Sequence, residues 1–385
     1  MRFNKSKLRK SGVYFVLGMM FTGIFLGGAE AGSIRRIEGP DRYQTSMNVA
    51  DHHKSDIAIV VNGKDFPDAL SAISLATKYK ANIILVKPSS DDLDYRKFTA
   101  DLLNRKVKNV IIVGGENSVD KGYESALTKF FNVERIQGRD RYDTSMKVVE
   151  RAGNNDLCIA DGRNFPDALS TSGLVAKSKT SLLLVDGRKK LNLPKDYKVE
   201  YTIGGKNSIK NTYGKRIGGD DRYKTCDQIL ALIKAKNLLV ASGRNFPDAL
   251  SASSMASIAD TGVLLCSTKV DSNVVSRSGN KDNITVIGGI NSVSGLTVNS
   301  IMDRYNYSYS SSNDVGFDPD KQTYRFSNAG LFKGWLYQAN RSPYGYDKFY
   351  YNDDGVLERD KIIDGIMLDT EGKAILDNDG KPVIN

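Results

Sequence analysis

Three stretches decide the fold: Arg36-Ile-Glu-Gly-Pro-Asp-Arg-Tyr-Gln-Thr45, Arg135-Ile-Gln-Gly-Arg-Asp-Arg-Tyr-Asp-Thr144 and Arg216-Ile-Gly-Gly-Asp-Asp-Arg-Tyr-Lys-Thr225. The string Phe-Pro-Asp-Ala-Leu-Ser recurs at 66–71, 165–170 and 246–251, and a Gly-Gly-x-Asn-Ser turn at 114–118, 204–208 and 288–292. The first two motifs are spaced 99 and 81 residues from copy to copy. Three landmarks in one order, met three times, are the mark of a repeat architecture. The second copy is shorter: it lacks nine residues between its Leu-Leu strand and Gly-Gly, and nine more before the next Arg-Ile.

Within a copy, strand and helix patterns alternate. Ile57-Ala-Ile-Val-Val61 is apolar and β-branched throughout, as a strand buried on both faces requires. Asn62-Gly63-Lys64-Asp65 turns the chain, and Pro67 suits the first turn of a helix. That helix carries Ala69, Leu70, Ile73, Ala76 and Thr77 on one small-residue face. Strands at Ile83–Val86 and Val110–Val113 flank a helix over Asp92–Arg105. The alternation predicts an α/β fold: right-handed crossovers, a parallel sheet and helices on both faces in each copy. Modules are expected at 34–133, 134–214 and 215–300, followed by a linker at 301–314 and a small β-rich region at 315–385.

Outside the repeats the amino terminus is distinctive. Arg2, Lys5, Lys7, Arg9 and Lys10 precede an apolar run from Val13 to Gly28 and an Ala29-Glu30-Ala31 exit. This pattern predicts a signal peptide over 1–31, cleaved after Ala31. The run is about 16 residues, short of the ~20 that span a bilayer, so no membrane span is expected in the mature chain. Cleavage lowers the net charge from +10 to +6. Residues 32–300 hold +10 and the chain from Asp303 onward −4, so the repeats are the basic part. A basic exported body points to an anionic partner outside the membrane.

The residue inventory excludes much chemistry. Three Cys cannot build a disulfide scaffold, and two His, His52 and His53, cannot supply a repeated catalytic or metal centre. Gly-Gly-x-Asn-Ser lacks the third glycine of a dinucleotide fingerprint and the Gly-Lys-Ser/Thr of a P-loop. It reads as a tight strand-to-helix turn with Asn or Ser capping the next helix. Phe66, Phe165 and Phe246 read as core aromatics, and Cys158, Cys226 and Cys266 as small buried hydrophobes. A Cys266 nucleophile with His52 as base would break the threefold pattern. The arginines Arg42, Arg141 and Arg222 leave two readings. Each grips an anionic ligand bidentately, or each pairs with Asp68, Asp167 or Asp248 of its own module. Nothing in the repeats has the interleaved aromatics or motifs of a nucleic-acid binder. No cofactor, metal or catalytic residue is expected.

Taken together, Arg-Ile-x-Gly-x-Asp-Arg-Tyr-x-Thr, Phe-Pro-Asp-Ala-Leu-Ser, a Leu-Leu strand and Gly-Gly-x-Asn-Ser resemble the clostridial cell wall binding repeat 2 family over residues 34–300. The resemblance implies flavodoxin- or Toprim-like modules in a pseudo-threefold triangle. It also implies secretion to the cell wall or S-layer, with non-covalent anchoring to an anionic, teichoic-like wall polymer and an S-layer protein as a further partner. The family ties polymer binding to a Pro-Ile-Leu-Leu strand end. The matching segments here are Ile83, Ile84, Leu85; Leu182, Leu183, Leu184; and Val263, Leu264, Leu265, preceded by Asn82, Ser181 and Gly262 in place of proline. Aliphatic side chains cannot hold a phosphate, so these segments are read as packing elements beside cationic and backbone donors. Three weak sites on one rigid frame would gain avidity.

Beyond residue 300, fourteen of the chain's 34 aromatics fall between Tyr305 and Tyr351. Gly334-Trp-Leu-Tyr337 and Phe349-Tyr-Tyr-Asn-Asp-Asp-Gly355 resemble the short hairpins of choline- or glucan-binding wall proteins. Two readings stay open: aromatic shelves for a sugar or quaternary ammonium, or a β-meander using its aromatics as its own core. The alternative functions to anchoring are a wall-associated hydrolase and a sugar- or choline-binding adhesin working through this region.

Overall fold

Apolar β-branched runs become the central strands of three parallel sheets. The computed structural model describes residues 32–258, 261–267, 271–305, 307–309 and shorter stretches between 316 and 375. The expected signal peptide lies outside the described residues. The chain divides into two units, Met1–Glu30 and Ala31–Asn385, and all three repeats lie in the second.

The first copy runs β1 (Ser33–Ile37), α1 (Arg42–Ala50), β2 (Ile57–Asn62), α2 (Pro67–Ser71), α3 (Ile73–Tyr79), β3 (Asn82–Val86), α4 (Asp92–Asn104), β4 (Asn109–Val113), α5 (Lys121–Leu127) and β5 (Asn132–Ile136). Its sheet has the order β3-β2-β4-β5, parallel throughout, with Ile59 flanked by Ile83 and Ile111. The second copy contributes α6 (Arg141–Ala152), β6 (Asp156–Asp161), a 3-10 turn (Ala168–Ser170), α7 (Ser172–Ser178), β7 (Ser181–Val185), β8 (Lys198–Ile203) and β9 (Lys215–Ile217). Its two nine-residue deletions leave no helix between β7 and β8 or between β8 and β9. The third has α8 (Arg222–Ile233), β10 (Asn237–Ser242), α9 (Pro247–Ile258), β11 (Thr261–Cys266), α10 (Ser272–Arg277), β12 (Asn283–Ile287), α11 (Gly295–Tyr305) and β13 (Ser308–Tyr309).

Each Arg-Ile strand opens a copy in the sequence but closes the sheet of the copy before it. Strand β5 completes the first sheet and β9 the second, while β1 lies between β12 and β13 in the third, ordered β11-β10-β12-β1-β13. The motif's first arginine explains the placement. Buried Arg36 donates through Nη1 to Gly288 O (2.6 Å) and through Nη2 to Val293 O (3.0 Å). Arg135 donates to Gly114 O and Val119 O, and Arg216 to Gly204 O and Ile209 O. Each thus ties its strand to the Gly-Gly turn of the sheet it joins. The motif's threonine then accepts from the glycine N–H six residues earlier, at 2.9–3.0 Å in all three copies. Asp41, Asp140 and Asp221 cap α1, α6 and α8.

Three helical segments, α3, α7 and α9, pack on one another at the centre, each also touching the edge strand of the next module. Those edge strands, β3, β7 and β11, would otherwise expose unpaired N–H groups, a liability proteins cover. Here serine covers them. Ser254 of the third module accepts from Ile83 N (2.8 Å), and Ser74 of the first accepts from Leu182 N (2.9 Å). From within each module, Ser46 accepts from Leu85 N and Ser145 from Leu184 N, while Cys226 Sγ takes the same place against Leu265 N. At the remaining junction Gly173 replaces the serine. A Cβ there would stand 2.3 Å from Thr261 O, so only glycine permits the approach.

The carboxyl-terminal region is β-rich and antiparallel, as expected: β14 (Gly316–Asp318), β15 (Thr323–Phe326) and β16 (Gly330–Leu331) form one sheet. Strands β17 (Gly334–Ala339) and β18 (Tyr346–Tyr351) form a hairpin, and β19 (Ile362–Ile363) pairs with β20 (Ile366–Met367). Ile366, Leu368 and Ala374 make a small core against Tyr350 and Ile363. The Trp335 side chain lies outside the described residues.

Candidate functional site at the module junctions

The repeated motifs, distant in sequence, converge at the carboxyl ends of the strands. In the first sheet the chain leaves β2 for β3 on one side and returns to β4 on the other. A crevice therefore opens between β2 and β4, where ligands sit in open parallel sheets. Here the Phe-Pro-Asp segment meets the Gly-Gly-x-Asn-Ser turn: Ser118 Oγ donates to Asp68 Oδ2 (2.5 Å). The same bond joins Ser208 to Asp167 (2.7 Å) and Ser292 to Asp248. The start of the next module's first helix, Gly138 to Arg141, forms the far wall. Together they enclose about 290 Å³ lined by Asn62, Asp65, Asp68, Asn117, Ser118 and Arg141 among others.

Among the described residues the junction arginines do not make the ion pairs within their own modules that the second reading expects. Each donates Nη1 to a carbonyl of its own module: Arg42 to Gly63 (2.9 Å), Arg141 to Gly162 (2.8 Å) and Arg222 to Gly243 (2.6 Å). Among the described residues none pairs with the aspartate of its own module. The acids near them belong to the neighbour: Arg141 stands 4.0 Å from Asp65 and acts on Asp68, and Arg42 acts on Asp248. Each guanidinium also lies over the neighbour's phenylalanine, Arg141 on Phe66 (5.5 Å), Arg222 on Phe165 (5.4 Å) and Arg42 on Phe246 (5.8 Å). The three rings meet edge to face at 5.5, 5.5 and 6.0 Å. The phenylalanines are therefore not core residues of single modules. They mark the pseudo-threefold axis, and the arginines fasten each module to the one before it.

Burial raises the carboxyl groups of Asp68 and Asp248 above the ordinary aspartate range. The Ser118 and Ser292 hydroxyls oppose that rise, as do the nearby arginines. The first crevice thus brings hydroxyl, carboxyl, amide and guanidinium groups together.

The capping role expected of the turn is not what the structure shows. Asp120 caps α5 and Ser294 caps the start of α11, while Ser118 and Ser292 are spent on aspartates. Asn117, Asn207 and Asn291 are exposed and, among the described residues, make no side-chain hydrogen bond. Sequence reasoning read this asparagine only as a cap, and its exposure in all three copies is what that reading did not foresee.

The aliphatic triplets stand below this surface. Ile83 to Leu85, Leu182 to Leu184 and Val263 to Leu265 are each at most 3% exposed. Ile83, Leu85, Leu182 and Leu184 join the core shared with the central helices, whereas Ile84 and Leu183 pack into the outer layer of their own modules. All are packing residues and face no solvent. Cys158, Cys226 and Cys266 are free and buried, as expected, and burial pushes the thiols of Cys226 and Cys266 up to about 12. Exposed His52 lies instead beside Arg35, at 3.3 Å. Among the described residues no cluster of His, Cys, Asp or Glu could hold a metal, and no helix is long and apolar enough to cross a membrane.

A family described as Cell wall binding domain 2 (CWB2) matches residues 36–124, 135–213 and 216–298. In Bacillus subtilis (strain 168), N-acetylmuramoyl-L-alanine amidase LytC is 28% identical over 310 residues, covering 74% of this chain and 62% of that protein. The Amidase enhancer of the same strain is 29% identical over 292 residues, covering 70% and 40%. The chain thus spans less than two thirds of either relative. Two solved structures share the fold: Cwp8 from Clostridium difficile (TM-score 0.60, 20% identity, 71% of this chain, 52% of that one) and Cwp6 from the same organism (0.61, 21%, 72%, 49%).

Proposed function

Because the chain belongs to the Cell wall binding domain 2 family, we propose that it anchors itself non-covalently to the Gram-positive cell wall. Three repeated modules bind an anionic secondary wall polymer, and the β-rich carboxyl-terminal region is displayed. The observation that supports this reading is the asparagine repeated at equivalent turns, Asn117, Asn207 and Asn291, exposed and without a side-chain hydrogen bond among the described residues; Asn117 lines its crevice together with Arg141 of the next module. Sugar units of the polymer lie in these crevices, and the buried aliphatic triplets hold them at fixed spacing. One strand engaging several crevices gains avidity by effective concentration. The role is binding and not catalysis, at the cell wall or S-layer of the exporting cell, with an S-layer protein as a further partner.

The test is retention of the mature chain, Gly32–Asn385, on purified walls and on fractionated wall polymers. Retention released by chaotrope and by loss of the polymer fraction is expected. Failure to bind any wall fraction overturns the reading, and hydrolysis of purified peptidoglycan overturns its non-catalytic part.

A further inference from the structure

The crevices carry acids as well as bases, so they do not account for attraction to a polyanion. A further set of basic groups lies at the other end of the sheets. Lysines gather just before or at the first residues of strands: Lys54 before β2, Lys80 before β3, Lys106 and Lys108 before β4, Lys234 and Lys236 before β10. These six are exposed and have no carboxylate within 4.0 Å among the described residues.

At this end a cleft of about 350 Å³ separates the first and second modules. Lys78, Lys80 and Lys179 line it together with Thr77, Asn154 and the backbone of Gly153, and no carboxylate lines it. Two observations show that the protein does not itself use the three ammoniums and the Thr77 hydroxyl, whereas Asn154 is spent on a carbonyl. The carbonyls of the surrounding helix ends are already satisfied: Ala76 O by Lys80 N, Lys80 O by the His53 ring, Lys179 O by Asn154 Nδ2. Among the described residues the ammonium groups make no ion pair, and Thr77 Oγ1 is buried without a hydrogen-bond partner. The equivalent junction between the second and third modules is not free in this way, since Lys177 there donates to Ile233 O.

We infer that this cleft is an anion subsite, taking a phosphodiester unit of a sugar- or polyol-phosphate polymer, separate from the three crevices. The three ammoniums face the phosphate oxygens, and the Thr77 hydroxyl supplies a donor. The inference rests on the wall-polymer reading and assigns the charged part of that polymer a place. Its volume falls within the range of small-ligand sites, about 300–1,000 Å³. Binding there releases counterions from the polymer, so it weakens as salt rises.

The test uses the mature chain and a synthetic glycerol phosphate oligomer, measured by calorimetry across a salt series. The combined variant Lys78→Gln, Lys80→Gln, Lys179→Gln is expected to lose about tenfold in affinity at low salt and to show a flatter salt dependence. The combined Lys→Arg variant should keep both. Thr77→Val should weaken the oligomer severalfold without lowering the melting temperature, which a purely structural threonine would do. An oligomer bound equally by the Gln variant, or not bound by the parent, overturns the subsite. Wall retention by the parent tests the broader reading separately, because it can persist when the subsite fails.

Discussion

Arg42, in the first helix of the first module, lays its guanidinium 5.8 Å from the ring centre of Phe246 in the third. With Arg141 on Phe66 and Arg222 on Phe165, the contact closes a ring in which every module holds its predecessor. Edge-to-face aromatic pairs contribute about 0.5–1.5 kcal/mol each beyond burial, and partly exposed cation–π contacts about 0.5–1.

Truncating one ring should therefore loosen all three junctions. Phe66→Ala is expected to cost about 3 kcal/mol, since it removes two aromatic pairs and the seat of Arg141. Chemical denaturation should show the loss and a broader transition. A cost below about 0.5 kcal/mol would mean the axis is not structural.

Serine at the junctions gives a second expectation. Ser254→Ala leaves Ile83 N without its acceptor in a buried seam and should cost about 1–3 kcal/mol. Gly173→Ala, whose new Cβ meets Thr261 O, should cost at least as much. Thermal melts of the two variants beside an exposed control, such as Lys121→Ala, decide the matter.

The asparagines should behave oppositely. Replacing Asn117, Asn207 and Asn291 by Ala is expected to leave stability within about 0.5 kcal/mol, because all three are exposed and no side-chain hydrogen bond among the described residues is lost. Retention on purified walls should fall with each replacement and most steeply when all three are made. Undiminished retention by the triple variant would place the polymer elsewhere.

Raised carboxyl groups carry a pH signature. Asp68 and Asp248 titrate above the reference value of 3.8, so the folded chain holds these protons more firmly than the unfolded chain. Their contribution is most favourable in acid and is lost as pH climbs from that reference value through the folded one. Asp68→Asn with Asp248→Asn keeps an acceptor for Ser118 and Ser292 and removes the ionisation. The variant should gain on the parent at neutral pH and fall level with it in acid, as read from urea midpoints. A constant gap at all pH values would contradict this.

Much of the fold could be read from the chain alone, because its repetition is plain and its strands are apolar runs such as Ile57–Val61 and Ile83–Val86. What escaped was partnership across modules. Nothing in the order of residues tells that Arg141 answers Phe66 and not an acid of its own module, since that choice depends on how rigid units meet. The same holds for Ile83 to Leu85. Their hydrophobicity was legible, but not that Ile83 and Leu85 join the core shared with a neighbour's helix while Ile84 packs within its own module. Replacing Leu85 by Asn should accordingly unfold its junction, at about 3 kcal/mol or more, before any effect on polymer contact can be read.

The placement of β1 has a temporal consequence. Ser33 and Asn283 lie side by side although 250 positions part them. The first strand of the first repeat must wait for the end of the last repeat before it finds its neighbours. A nascent or half-threaded chain can assemble the first two sheets, but its third stays split and sticky-edged. Contacts so remote in sequence form slowly. Completion is thus a clasp that snaps shut only once delivery is finished, and a protease arriving before then meets an open substrate.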